Sequence, residues 1–278
     1  MDPMEPGAQR DDEHVMDEHD AAQQLGGDTQ KRLRRFWRSI PSPPRCKLCH
    51  RPFGPPGGPI MRLVGLGRWP GNPKYCRGCF KSLYRHRTGA EIECSLIFAD
   101  VRGSTTLAET MAPGAYRRLM DRFYATAVDA FVAHDAFVDK FVGDEVIGIF
   151  VPALTEQLHA RQAILAGLEL LAATGHATRS PWVPIGIGVN TGVAYVGAVG
   201  TEEHVEFTAL GDNVNVTARL ASVAGPGELL VTEAAAHAAA LHEPGLGRRR
   251  LELKGRTEAT DVFVLAAATR LDEVPEKR

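Results

Sequence analysis

Residues 97–105, IFADVRGST, constrain this chain most, because an apolar strand runs straight into an aspartate and then into a turn of small residues. A carboxylate at the end of a buried strand offers a place for a cation. The backbone N–H groups of residues 101–105, those of Gly103, Ser104 and Thr105 among them, can face an anion. Asp100 therefore suits a metal ion carrying a polyphosphate. An ordinary helix cap looks the same, so the motif takes its meaning from the rest of the chain.

A second acid changes its weight. Asp144 follows Gly143 between two short apolar runs, 137–142 and 145–151, that read as a hairpin. Two carboxylates brought together without a cation repel, and one takes up a proton; a pair of divalent ions, Mg²⁺ or Mn²⁺, satisfies both. Two metals with phosphate oxygens between them are a recurring device for in-line displacement at phosphorus.

Around these acids, strands and helices alternate. Residues 95–99 read as a strand, 104–109 as a helical turn, and 114–134 as a long helix whose apolar stripe includes Tyr116, Leu119, Phe123 and Phe131. A helix over 155–174, a glycine-studded strand pair over 183–200 and a strand over 207–210 follow. A helix over 214–223, a strand over 228–232, an alanine-rich helix and a terminal hairpin over 250–266 complete the pattern. Helices with mainly antiparallel strands make this an α+β fold, not a doubly wound sheet.

Charge divides the 278 residues further. Residues 1–30 hold nine acids against Arg10, residues 31–90 hold fifteen Lys and Arg and no acid, and the remainder is acidic again. The expected division is a disordered acidic tail (1–30), a basic module and linker (31–90), a catalytic domain (91–268) and a charged C-terminal tail (269–278). No run of eighteen apolar residues occurs, and the acidic start lacks a basic and apolar leader, so the expected location is the cytoplasm.

Within the basic module, Cys46-x-x-Cys49 and Cys76-x-x-Cys79 are separated by twenty-six residues rich in Pro and Gly. Two such knuckles can direct four thiolates at one structural Zn²⁺, whose binding replaces the folding free energy of the missing apolar core. Two disulfides or unpaired thiols are the alternative. His50 and His86 read as bystanders, and Cys94 as a core residue. Residues 31–40, KRLRRFWRSI, suggest a short helix packing Leu33, Phe36, Trp37 and Ile40 on the module, with a membrane surface or nucleic acid as the alternative partner. A basic module also leaves docking to an anionic partner open. Gly89 stands as a candidate hinge between module and domain.

From Glu91 onward five motifs in order resemble the class III adenylate and guanylate cyclase catalytic domain, a ferredoxin-like α+β fold: FADVRGST, DKFVGD, GIGVNTG, FTALGDNVNVTARL and LELKG. The resemblance implies that Asp100 and Asp144 bind two divalent ions per site, with the Val101 carbonyl as an extra ligand. It makes Lys140 and Thr208 the base-reading pair, Asn215 the ribose-orienting residue, Arg219 the transition-state cation and Lys254 a phosphate contact. It also implies a homodimer in which opposite chains complete each site. Asn215 and Arg219, four apart on a helix, share a face, and an Arg fork matches phosphate oxygens. Lys140 only donates, which suits N1 of adenine and clashes with the protonated N1 of guanine. Thr208 can accept from the adenine amino group but can also donate, so it leaves some use of GTP open.

The expected activity is thus a phosphorus–oxygen lyase, an adenylate cyclase acting in signal transduction, that converts ATP to 3′,5′-cyclic AMP and pyrophosphate. The rival readings are a guanylate cyclase, for which acceptors of guanine N1–H are not found, a catalytically weak nucleotide sensor, and a partner- or nucleic-acid-binding protein whose basic zinc module is primary and whose cyclase domain is the effector.

Overall fold

The computed structural model describes residues 28–46, 49–69, 72–79, 89–155, 158–178, 180–201, 205–241, 245–254 and 258–271. Of the disordered acidic tail expected over 1–30, residues 1–27 lie outside the described residues and 28–30 instead begin a helix; residues 80–88 with His86, and the C-terminal tail from 272, lie outside as well. In chain order the module contains α1 (Asp28–Ser39), α2 (Gly57–Leu63), β1 (Arg68–Trp69) and β2 (Asn72–Cys76). The larger domain follows with β3 (Gly89–Val101), α3 (Ser104–Thr110), α4 (Pro113–Ala133), β4 (Phe137–Val142), β5 (Glu145–Phe150), α5 (Pro152–Thr155) and α6 (His159–Ala173). It closes with β6 (Ile185–Gly200), β7 (Val205–Leu210), α7 (Asp212–Val223), β8 (Leu229–Thr232), α8 (Glu233–Ala238), β9 (Gly247–Leu251) and β10 (Thr260–Leu265).

β3 is the spine of the sheet. It pairs antiparallel with β6 along its whole length and with β5 along its second half, so Asp100 lies opposite Gly186 on one side and Glu145 on the other. The strand order is β4-β5-β3-β6-β8-β10-β9, with β7 paired to the outer half of β6. β6 and β8 run parallel, and the other pairs are antiparallel. This is the expected α+β arrangement, with one correction: residues 185–200 form a single strand rather than a strand pair. β3 runs beside β6 throughout, β8 takes its first half on the other edge and β7 its second, so the glycines need not mark a turn. The helix expected from 155 likewise begins only at His159, after the separate turn α5.

Successive β3 side chains face opposite sides of the sheet. Ile97, Ala99 and Val101 join Phe123 and Phe131 of α4 and Ile164 and Leu170 of α6 in one core, while Leu96 and Phe98 join Ala221 of α7 in another. Phe123 and Phe131 are fully buried, and truncating either to Ala is expected to cost about 3–5 kcal/mol. The GIGVNTG strand explains how α7 reaches the sheet. A Cβ at Gly188 would stand 2.6 Å from the Ala221 nitrogen, and one at Gly186 would stand 2.6 Å from the Ala224 carbonyl oxygen, so only glycine admits the helix this close.

Two expectations about the module are corrected. Gly89 is no hinge: it is a buried β3 residue paired with Gly197, and the Tyr195 ring occupies the space a side chain would need. In α1, Trp37 and Ile40 are half-buried, but Leu33 and Phe36 are exposed at 44% and 56%, and the buried residue is Arg34. Polar anchors set this orientation. Arg34 meets His50 at 3.1 Å, and Arg38 donates at 2.9 Å to Asp135, just beyond α4, tying the module to the larger domain.

Candidate functional site

Asp100 is the penultimate residue of β3, and Asp144 sits in the β4–β5 turn beside it. The Val101 N–H donates to the Asp144 carbonyl at 3.3 Å, which joins the strand end to the hairpin tip. Sheet register adds a third acid, Glu145, directly opposite Asp100. Burial, with the Asp144 charge adding and Arg102 opposing, pushes the Glu145 carboxyl up to about 7. Tyr124 steadies the tip, donating from its hydroxyl to the Gly143 carbonyl and stacking on Phe141 at 4.6 Å.

Arg102 partly balances this charge. One arm ion-pairs with Asp100, the other donates to the Ser222 carbonyl at 2.7 Å near the end of α7, and its main-chain N–H bonds Pro184 at 2.8 Å. Burial lowers its pKa, while Asp144 and Glu145 pull it back up. The three carboxylates offer oxygen donors of the kind a divalent cation takes, but their oxygens do not all lie within 4.8 Å of one another. Sequence reasoning missed Glu145, Arg102 and Tyr124. The adjacent acids of GDE and the Arg two residues after Asp100 were the available signals. Gly103, Ser104 and Thr105 lie where expected, at the start of α3, with Gly103 and Thr105 exposed.

A second group of side chains gathers on β4 and β7. Thr208 is 5% exposed and donates to Asp139 Oδ2 at 2.7 Å. Lys140 Nζ stands 3.6 Å from that same oxygen and 3.8 Å from Glu206 Oε2. The sequence-predicted pair Lys140 and Thr208 is therefore brought together around Asp139. On α7, Asn213 is buried, accepting from Asn190 at 2.7 Å and donating to the Gly192 carbonyl at 2.8 Å. Those bonds spend Asn213 on structure and leave Asn215 exposed and Arg219 half-buried one turn apart on the outer face. Lys254 is exposed just beyond β9, next to the buried anchor Leu253.

In the module, the sulfurs of Cys46, Cys49, Cys76 and Cys79 lie within 4.8 Å of one another, the one such group of metal-ligating types among the described residues. All are free thiols, with Cys49 and Cys76 sulfurs 3.7 Å apart. The Cys76 N–H donates to Cys46 Sγ at 3.2 Å, the Cys79 N–H to Cys76 Sγ at 3.4 Å, and Arg51 to Cys76 Sγ at 3.3 Å. Hydrogen bonds from Cys46, Cys49 and Cys79 hold the Cys76 thiol well below the usual range. Four convergent sulfurs with amide donors behind them fit a tetrahedral Zn²⁺. His50 takes no part: burial, reinforced by Arg34, Arg38 and Arg45, lowers its pKa to about 2, so it stays neutral and can accept from Arg34.

Residues 88–266 match the family model described as the adenylate and guanylate cyclase catalytic domain. The chain is 28% identical over 188 residues to the terminal-differentiation-specific adenylate cyclase of Dictyostelium discoideum, which covers 64% of this chain and 9% of that protein. Two crystal structures share the fold, each with a TM-score of 0.57. The guanylyl cyclase Cya2 is 24% identical over 63% of this chain and 92% of its own. The adenylyl cyclase CyaB from P. aeruginosa is 22% identical over 66% and 99%.

Proposed function

From a chain that belongs to the adenylate and guanylate cyclase catalytic-domain family over residues 88–266, we propose an adenylate cyclase that closes ATP to 3′,5′-cyclic AMP and pyrophosphate. The observation that carries this reading is the convergence of Asp100 with the Asp144-Glu145 hairpin tip. Asp100, Asp144 and the Val101 carbonyl would hold two divalent ions, which when bound lower the pKa of the ribose 3′-hydroxyl and neutralise the triphosphate. No protein nucleophile is required: the 3′-oxygen attacks the α-phosphorus in line and pyrophosphate leaves. Asn215 would orient the ribose, and Arg219 would donate to the α-phosphate as charge accumulates there. Main-chain groups of Gly103, Ser104 and Thr105, with Lys254, would hold the remaining phosphates. Lys140 and Thr208 would read the adenine edge.

A homodimer completes the site in this reading. Phe141 and Val142 on β4, Val193 on β6 and Leu210 on β7 are exposed apolar residues that a second copy would cover. The test is complementation: Asp100→Ala and Arg219→Ala are each inactive alone, and mixing them restores activity in one of the two composite sites. Mixed dimers that stay inactive would falsify the shared-site arrangement.

The module would carry one structural Zn²⁺ on its four cysteines. A second role for it has an observation of its own, since Arg62, Arg68 and Arg77 line one cavity with Phe53 in a segment that contains no acid. An anionic partner or nucleic acid would bind there with affinity falling steeply as salt rises. Salt-insensitive behaviour leaves the module a purely structural part.

A further inference from the structure

A threonine hydroxyl is an ambiguous reader of a purine. With its proton turned outward it donates and tolerates the O6 oxygen of guanine; with its proton engaged elsewhere it only accepts and demands the amino group of adenine. The direction of that one proton decides selectivity. Thr208 Oγ1 donates to Asp139 Oδ2 at 2.7 Å, and the Lys140 ammonium 3.6 Å from the same oxygen favours the ionised carboxylate that can accept it. Asp139 is 5% exposed and lies on β4, one residue before Lys140 and facing β7.

We propose that Asp139 is a specificity-determining positioning residue: it engages the Thr208 proton, leaves only lone pairs facing the base, and so turns an ambiguous hydroxyl into an obligate acceptor for the 6-amino group of adenine. The same carboxylate, with Glu206 at 3.8 Å, draws the Lys140 ammonium to the same end of the base edge. Against guanine, both partners then present the wrong polarity, lone pairs toward O6 and N–H toward N1–H. This inference rests on the reading of the chain as an ATP-using cyclase and goes beyond it by assigning the origin of the preference.

The test uses the full chain. The kcat/KM for ATP and for GTP is measured for wild type, Asp139→Ala, Thr208→Val and the double variant, and the same ratio is read as affinity from displacement of a fluorescent ATP analogue. Freed from Asp139, the Thr208 hydroxyl can donate to O6, so Asp139→Ala raises GTP use in absolute terms and lowers the ATP-to-GTP ratio by about tenfold. Damage to the fold cannot produce that gain. In the Thr208→Val background, removing Asp139 lowers the ratio by much less than in wild type, because only its hold on Lys140 is left to lose. Asp139→Val, which suits a strand and cannot accept a hydrogen bond, replaces the alanine variant if that one does not fold. A wild type that uses GTP as well as ATP overturns the adenylate reading and this inference together. A wild type that prefers ATP, with a folded Asp139 variant of unchanged ratio, overturns the role of Asp139 alone.

Discussion

The four-cysteine module and the cyclase domain are stabilised by different means. In the domain, β3 carries apolar side chains to both faces of the sheet, and Phe123, Phe131, Leu170 and Ile187 are fully buried. Hydrophobic burial there is extensive and needs no ligand. In the module the fully or largely buried side chains are mostly sulfur and polar groups: Cys46, Cys49, Cys76, Arg34, Ser42 and His50. Arg34 Nη1, His50 Nδ1 and Arg51 Nε are buried there without a hydrogen-bond partner, a cost that a small segment without an aliphatic core must offset by other means. Four sulfurs around one ion supply such a means. The difference sets a domain with a broad apolar core beside a module that offers four sulfurs to a metal and packs three of them against Ile92, Leu96 and Phe98 of that domain.

Chelation is the strongest way to break this contrast. Stripping metal from the full chain, or making Cys76→Ser, is expected to expose residues 28–79 to proteolysis and hydrogen exchange while 89–265 stays protected. Zinc quantification should give about one ion per chain before treatment. Equal loss of protection in both regions would mean that they form one cooperative unit, joined through Arg38 and Asp135. In the domain, the complementary experiment removes function and spares the fold: Asp144→Ala should lower cyclase activity by about a thousandfold, with an unchanged thermal midpoint or a raised one as carboxylate repulsion is relieved.

A smaller effect concerns pH. Burial holds the His159 pKa below its ordinary value of 6.5, against the opposite pull of Glu93, with Nδ1 at 2.9 Å from Ser95 Oγ. The unfolded chain then binds the additional proton as pH falls through that value, so the stabilisation is present above it and is lost below. Protonation of Glu145, whose carboxyl is held up to about 7, acts in the opposite sense, so the outcome is read as a difference: from pH 7 to pH 5 the urea midpoint of His159→Gln should gain on that of the wild-type chain. Smallest is the reactivity of Cys94, whose thiol burial pushes up to about 12: it should resist alkylation at pH 8 in the native chain and react on unfolding.

Much of the site was legible in the chain itself. Asp100 and Asp144 drew notice as two acids at strand ends, Lys140, Asn215 and Arg219 were named through the resemblance of their motifs to the cyclase family, and the two CxxC pairs announce a sulfur cluster by spacing alone. Glu145 and Asp139 were not legible in the same way. A strand residue gains a role from the residue opposite it, and sequence does not reveal register: Glu145 matters because it faces Asp100, and Asp139 because it accepts from Thr208 across β4 and β7. The face of α1 was misread for a similar reason. Its apolar stripe predicts buried Leu33 and Phe36, but His50 and Asp135 lie within reach of Arg34 and Arg38, and those contacts turned the helix.

By itself, the sequence determined the kind of chemistry and the kind of fold, since donor types, motif order and apolar periodicity are properties of neighbours along the chain. Only tertiary structure decided which way the Thr208 hydroxyl points, which of Asn213 and Asn215 is spent on the scaffold, and how many acids share the end of β3. Those outcomes depend on atoms within hydrogen-bond range whose residues stand far apart in the chain, and a sequence read along its length carries no distance between them.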